Sequence, residues 1–555
     1  MALARSPKHI PIQPHQGSRI SAASTSTRDT VLSRNTDELV IALCGPIGSP
    51  LHAVADTLRD ALVDEYAYKY CKIIRLSGFI ETHRIVTQTS LPLLDEEKGI
   101  ASNDAQMLKP RKTSPEFSRV EALINDGDAL RFKFKPTFLA ELAIQQIRVD
   151  REQFKNDSGQ NTIEPRRVCH IIDSVKNNEE LKLFRDVYGD MLYVVGVFAP
   201  LPQREAILRA KGMEQNEIYA LIDRDSGEET SEGQTVRDTF PQSDFFLRAD
   251  TPTASLLTSR VKRFLHLIFG SKVITPSQAE SAMYAAAAAA GGSACLSRQV
   301  GAAITDESGR VVATGWNDVP KFLGGLYGDF GPGQEDSDQR CWNRGGKCYN
   351  DDEKDKFAEF LTSTLVDAEV INANAAEKVR VVLRNNTKLR NLLEFSRSVH
   401  AEMHAILNAG RISGSIVGGS LYVTTYPCHS CARHIVAAGI RTVYYIEPYR
   451  KSLATRLHED SISEAESDET KVRLLPYEGV APTRFLSLFR VPDDSRKSNG
   501  VLTRVPKMSS HSRTQQTVEA FHNLESLVVA ALQSKLAGNS ALEGKDGNSA
   551  VKPQL

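Results

Sequence analysis

The sequence predicts an α/β protein built from two successive strand-and-helix units. Short apolar runs alternate with amphipathic stretches from Glu38 onward, the order that produces a mostly parallel sheet. The first run, residues 38–44, ends in the turn Gly45-Pro46-Ile47-Gly48-Ser49-Pro50 and leads into an amphipathic stretch over residues 51–66. Strand, glycine turn and helix in that order are the layout of a phosphate-binding loop. From about Thr275 a second alternation begins, with His, Glu and Cys residues clustered inside it. An α/β/α sandwich is the form expected of that half.

Each element follows in order. Residues 1–36 are rich in Ser, Thr, Arg and Pro and lack an apolar run, so they read as a disordered tail rather than a signal peptide. The first unit covers residues 37–270. Its later strands are expected at 71–76, at 168–172 (ending at Asp173), at 191–198 and near 244–247, with a long helical pattern around 135–152. The second unit covers residues 275–490. It opens with an alanine-rich helix over 276–290 and a strand pair that turns at 306–309. An insertion over 321–395 separates these from a helix beginning near His400, a strand at 420–424, a cysteine-bearing helix ending near Gly439 and a strand at 442–446. The acidic run 459–469 reads as a solvated face, and residues 491–555 as a polar extension with one amphipathic helix over 518–536.

Composition excludes several classes. A net charge of −1 over 555 residues gives no polyanion-binding signature. At 7% aromatics the chain also lacks the footprint of a groove that stacks single-stranded bases, which argues against a polynucleotide editor. No stretch approaches the roughly 20 apolar residues of a membrane span. Eight cysteines, two of them in a metal motif, fit a reducing cytoplasm better than a disulfide scaffold.

The chemistry is concentrated in two short stretches, His400-Ala401-Glu402 and Thr424-Thr425-Tyr426-Pro427-Cys428-His429-Ser430-Cys431. Cys428 and Cys431 are three positions apart, so on a helix their sulfurs share one face. Pro427 suits a helix start, where the positive dipole end favours thiolate. Two thiolates and one imidazole supply three zinc ligands and leave a fourth position open for water. Glu402 would sit about 200° around a helix from His400, better placed to move protons than to bind the metal. A structural zinc knuckle is the competing reading, with His429 or His434 as fourth ligand.

The spacing His-x-Glu followed by Pro-Cys-x-x-Cys identifies the chain as similar to the zinc-dependent deaminases. The second unit resembles the deoxycytidylate deaminases over nearly its whole length. The likeness rests on Ser293-Ala294-Cys295 with Arg298-Gln299-Val300-Gly301, on Gly315-Trp316-Asn317, on residues 399–406 and 421–431, and on Ala438-Gly439-Ile440 with Tyr444 to Tyr449. It implies that Asn317, Arg298 and Tyr449 contact the nucleotide, and that the enzyme is a homo-oligomer. The family usually has asparagine where this chain has His404. It also implies a second, structural zinc, with Cys295 and Cys341 where family ligands stand and Cys348 as a third candidate. Glu394 and Arg390 occupy the places of two family histidines, and simple burial of these cysteines is the alternative.

The first unit looks like a P-loop nucleoside-kinase domain, with Arg204 in a lid-like stretch and Arg224-Asp225 and Gly233-Gln234 beyond it. The Walker lysine and its Ser/Thr are replaced by Leu51 and His52, and Pro50 stands where the second glycine belongs. Phosphoryl transfer is therefore not expected. Gly45, Gly48 and Ser49 are the candidates for binding a regulatory nucleotide, with a purely structural turn as the alternative. The two-domain order looks like the bacterial antiphage deoxycytidine-nucleotide deaminases, which implies depletion of dCTP and dCMP and a brake supplied by an RNA or protein partner. A housekeeping salvage deaminase and a nucleotide sensor with a vestigial zinc site are the other readings.

Overall fold

The computed structural model describes residues 26–84, 113–159, 162–225, 235–249, 254–328, 337–412, 415–447, 452–491, 497–503 and 505–546. The first sheet contains β1 (Leu39–Cys44), β2 (Cys71–Arg75), β3 (Cys169–Asp173), β4 (Leu192–Phe198) and β5 (Phe245–Arg248), all parallel, in the order β2-β3-β1-β4-β5. Every residue of β1, β3 and β4 is buried. Helices cover both faces of a sheet of this kind, which is why these strands read as unbroken apolar runs. The helix Leu51–Tyr66 turns Val54, Leu58, Ala61 and Leu62 inward at helical spacing. The connections from β1 and from β3 leave in opposite directions along the sheet, so the crevice beyond their carboxyl ends is a topological switch point.

The second sheet is mixed. It comprises β6 (Gly301–Thr305), β7 (Val311–Trp316), β8 (Ser420–Thr425), β9 (Thr442–Glu447), β10 (Ile462–Ser463) and β11 (Val472–Pro476), in the order β10-β11-β9-β8-β6-β7. Strands β8 to β11 are mutually parallel, whereas β6 runs antiparallel to both β7 and β8. The helices Ala401–Ile412 and His429–Ala437 pack on one face, where Ala401, Ala405, Cys428, Cys431 and Ile435 share a core with Ala302, Leu421 and Val443. The helix Gln278–Ala290 covers the other face. Its start is fixed by a capping box in which Ser277 and Glu280 bond each other's backbone N–H groups.

The two halves share structure. Just past β11 the chain forms β12 (Gly479–Val480), which adds antiparallel to β5 of the first sheet. Cys44, Phe198, Val236, Phe240 and Phe246 of the first half join Met283, Ala286, Tyr422, Ile446 and Tyr477 of the second in one apolar cluster. Glu280 stands at the seam, accepting both ends of Arg263 (2.9 and 2.7 Å) and the N–H of Val480 (3.0 Å).

Two expectations change at the termini. Within the stretch read as a disordered tail, Thr27–Leu32 is a helix and Asn35–Thr36 a strand paired with Gln516–Thr517. The C-terminal helix runs Val518–Asp546 and lies on Phe138–Asp157 of the first half. There Arg151 bridges Glu38 and Glu525, with all three side chains buried. Neither contact has a local sequence signature. Among the described residues no helix is long and apolar enough to cross a membrane.

Candidate metal centre and its surroundings

Cys428 is the N-cap of His429–Ala437, and its sulfur accepts the Cys431 N–H at 3.5 Å. Cys431 lies in the first turn of that helix, and both cysteines are buried. His400 immediately precedes the helix Ala401–Ile412 and turns Nδ1 toward both sulfurs, 3.4 Å from Cys428 Sγ and 3.3 Å from Cys431 Sγ. A tetrahedral zinc ion with ordinary Zn–S and Zn–N bonds requires S···N separations of about 3.5 Å. The donors fit the ion. Cys428 is set toward the thiolate that a metal binds: the hydrogen bond from Cys431 and the adjacent His400 hold its thiol down to about 4. The hydrogen bond to Cys428 holds the His400 imidazole up to about 9.

Among the described residues these three alone bring together a trio of His, Cys or carboxylate donors. Neither histidine of a structural knuckle completes the set. His429 Nε2 faces Glu394 at 3.8 Å and His434 Nδ1 is bonded to the Ser430 carbonyl at 2.7 Å. Glu402 is 3% exposed and lies against the Cys431 sulfur, outside the donor trio. Burial pushes its carboxyl up from the usual carboxylate range.

The remaining candidates are placed as follows. Arg298 reaches Glu447 at 3.0 Å and Thr425 Oγ1 at 3.4 Å, just ahead of Tyr426-Pro427-Cys428. Neither partner was anticipated; only their closeness to the cysteine motif hinted at them. Asn317 uses both ends of its amide on a loop, accepting from Val300 N–H (2.7 Å) and donating to the Arg298 carbonyl (2.9 Å). It thereby holds the backbone at Arg298 in place. His404 is packed edge-on to Trp316, with Nδ1 at the Trp316 backbone and Nε2 facing the Asn408 amide at 3.1 Å. It therefore ties its helix to β7. Tyr449 lies outside the described residues.

Cys295, Cys341 and Cys348 are not gathered into a donor trio, contrary to the expected second zinc site. Cys295 Sγ accepts from Ser398 Oγ at 3.7 Å, and Cys348 stands at the N-cap position of the helix Tyr349–Asp367 without a capping bond, with Ser297 Oγ 3.5 Å away. The missing ligands are the physical reason. Glu394 accepts the Leu393 N–H and Arg390 offers its carbonyl to Lys354.

The glycine turn is closely packed. A Cβ on Gly45 would lie 2.2 Å from the Val197 carbonyl oxygen, and Gly48 has φ +83° against Arg204. Both glycines thus have a packing reason. The Ile47 N–H, which a phosphate would need, donates at 2.6 Å to Asp225, which is also paired with Lys176. Ser49 Oγ is buried without a hydrogen-bond partner among the described residues. His52 pairs instead with Asp173 at the end of β3. In the turn that holds Gly45, Gly48 and Ser49, the Ile47 N–H is thus taken by a side chain.

A sandwich with a His/Cys/Cys donor trio and a buried glutamate defines a zinc-binding deaminase class, and residues 276–447 match the model of the cytidine and deoxycytidylate deaminase zinc-binding region. The deoxycytidylate deaminase of enterobacteria phage T2 is 30% identical over 162 residues, which span 29% of this chain and 74% of that enzyme. The chain belongs to the deoxycytidylate deaminase family of hydrolases. ComE operon protein 2 of Bacillus subtilis is 41% identical over 83 residues, spanning 14% of this chain and 44% of that protein. The apo crystal structure of the dCMP deaminase from cyanophage S-TIM5 aligns over 37% of this chain and 100% of its own, at 18% identity and a TM-score of 0.20, an overlap too slight to carry an argument.

Proposed function

We propose that the chain hydrolyses the C4 amine of free deoxycytidine nucleotides, dCMP, dCTP or both, with His400, Cys428 and Cys431 as zinc ligands and Glu402 as proton shuttle. One observation carries the reading: three donors at zinc spacing, with a buried carboxyl beside them that is not one of them. When bound, zinc supplies the Lewis acidity that turns water into a nucleophile near neutral pH. Glu402 then accepts the proton of the attacking water and delivers it to N3 of the cytosine. It next takes the remaining proton from the new C4 hydroxyl and passes it to the departing amine, so that the C4–N bond breaks, ammonia leaves and the uracil carbonyl forms. Its raised affinity for protons suits a group that must both take and return them. Arg298, held by Asn317 and half exposed, is the cation we assign to the nucleotide phosphate.

Assaying dCMP, dCTP and a cytosine-bearing oligonucleotide side by side tests this. Turnover of the mononucleotides with the oligonucleotide untouched is expected; deamination confined to the oligonucleotide would overturn the assignment. We further propose that the activity drains deoxycytidine nucleotides in antiphage defence, on the support of the fused first domain with its altered glycine turn. Phage infection should then lower cellular dCTP in a strain carrying the wild-type chain but not Glu402→Gln. Equal dCTP in both strains would leave a housekeeping role.

A further inference from the structure

Next to Asn317 stands Asp318, a carboxylate only 1% exposed. Both of its oxygens are engaged: Oδ1 accepts the Val319 N–H at 2.8 Å and Oδ2 accepts the Ala294 N–H at 2.9 Å. Its backbone carbonyl accepts the Val399 N–H at 2.9 Å, one residue before the donor His400. Asp318 therefore joins two segments of the candidate site, the loop 293–300 that carries Arg298 and the lead into His400. The loop is fastened to the same point by its neighbours. Ser293 Oγ donates to the Asn317 carbonyl at 2.6 Å, and Gln299 Nε2 donates to the Ser293 carbonyl at 2.6 Å.

A carboxylate buried to this degree calls for a cation, and the insertion supplies one. Arg340 Nη1 lies 3.6 Å from Asp318 Oδ2, with the arginine side chain 12% exposed. Asp338 aims that guanidinium, accepting from Nε at 2.8 Å and from Nη2 at 2.6 Å. Asp338 also accepts the Arg340 N–H at 2.9 Å, and Asn343 Nδ2 donates to the Asp338 carbonyl at 3.1 Å, which fixes the turn. Arg397, three positions before His400, donates to the Gln339 carbonyl at 3.2 Å. One turn of the insertion is thus bonded to both segments that Asp318 joins.

We propose that Arg340 is a positioning residue for the deamination: by neutralising the buried Asp318 it holds the loop 293–300 where Arg298 meets the nucleotide phosphate. The inference rests on the deaminase reading and on the role assigned there to Arg298. Without Arg340 the Asp318 carboxylate must turn toward water or take up a proton, and either change weakens its hold on the Ala294 N–H. Arg298 is long and 47% exposed, so the backbone beneath it decides where its guanidinium reaches. A shift of about 1 Å there is enough to cost up to about 10²-fold in turnover of dilute substrate.

Two measurements on the zinc-loaded full chain test this. The first follows hydrogen exchange over residues 293–300 by mass spectrometry. Arg340→Met should speed exchange there about tenfold or more, and adding Asp318→Asn should slow it again, because a neutral amide needs no cation. The second is kinetic, with whichever mononucleotide the wild-type chain turns over. Arg340→Met should raise KM about tenfold, with kcat within about threefold and zinc content unchanged. Asp318→Asn should recover most of that loss. In an Arg298→Gln background Arg340→Met should add less than about twofold, since both changes act through one guanidinium. Rescue by a second substitution cannot come from a chain that merely fails to fold. Unchanged exchange, equal losses in the single and double variants, or full additivity with Arg298→Gln would overturn the proposal. If the wild-type chain turns over no mononucleotide, the deaminase reading falls, while exchange still decides whether Arg340 holds the loop.

Discussion

Glu402 and Cys431 touch, yet they answer to different tests. Glu402→Gln keeps the shape and a hydrogen-bonding group but cannot carry protons. Deamination should fall by about 10²–10⁴-fold, the usual worth of a general acid–base group. Zinc content should stay at that of wild type, because Glu402 lies outside the donor trio. Cys431→Ala should lose metal and activity together. A Glu402→Gln enzyme within tenfold of wild type would end the shuttle assignment.

Zinc uptake itself should be coupled to protons. Without metal at pH 7, Cys428 is already a thiolate, held down to about 4, whereas His400, held up to about 9, is an imidazolium. Cys431 keeps its proton because the neighbouring Cys428 sulfur and burial push its thiol up. Loading zinc must strip His400 and Cys431, so about two protons should be released per ion. Calorimetry in buffers of differing ionisation enthalpy measures this. Uptake of zinc without release of protons would contradict this.

At the scale of elements, the C-terminal helix is fastened to the first domain by buried charge. Glu525 accepts from Arg151 and from the Tyr188 hydroxyl, and Arg151 also grips Glu38. Breaking one partner leaves a buried guanidinium undercompensated, so Glu525→Ala should cost about 3–5 kcal/mol in denaturant unfolding. A loss below about 1 kcal/mol would show that the helix is only loosely docked.

Acid should attack the same place. Burial alone would raise the Glu38 carboxyl, but Arg151 and Arg166 outweigh it and hold it down to about 2. A depressed carboxylate stabilises the fold above its unfolded value and loses that contribution as pH falls toward 2. Burial also lowers the His170 imidazole to about 3. An unfolded histidine takes its proton near pH 6.5, so the folded state loses ground from there down to pH 3. Stability should therefore fall from about pH 6.5 downward, and His170→Gln should flatten the upper part of that fall. A pH-independent midpoint between 6.5 and 4 in the wild-type chain would contradict it.

At the scale of the whole molecule, the two halves should unfold as one. They share a strand addition at β12, an apolar cluster and the Glu280 junction. Phe246, 1% exposed, packs against Phe240 of its own half and against Tyr477 across the seam. Phe246→Ala should cost about 3–5 kcal/mol, and near-ultraviolet circular dichroism and zinc release should shift to the same lower midpoint. Two separated transitions would show that the seam does not couple the halves.

The sequence by itself determined the local chemistry. His400, Cys428 and Cys431 were legible because zinc ligation demands fixed donor types at short, fixed spacings, and Glu402, the shuttle we propose, because it stands two positions from His400. The strands β1, β3 and β4 were legible because burial on both faces leaves an unbroken apolar run. Tertiary structure alone decided whatever depends on a distant partner. Asp225 fills the glycine turn from 178 positions away, and Glu525 meets Arg151 from 374. β12 is two residues long, too short to carry any periodicity, yet it joins the two sheets. Cys295, Cys341 and Cys348 looked like a metal set by residue type, but ligation needs donors that converge, and packing does not bring these three together. Spacing along the chain constrains neighbours on one turn or strand, whereas contacts across hundreds of residues are chosen by how the cores pack.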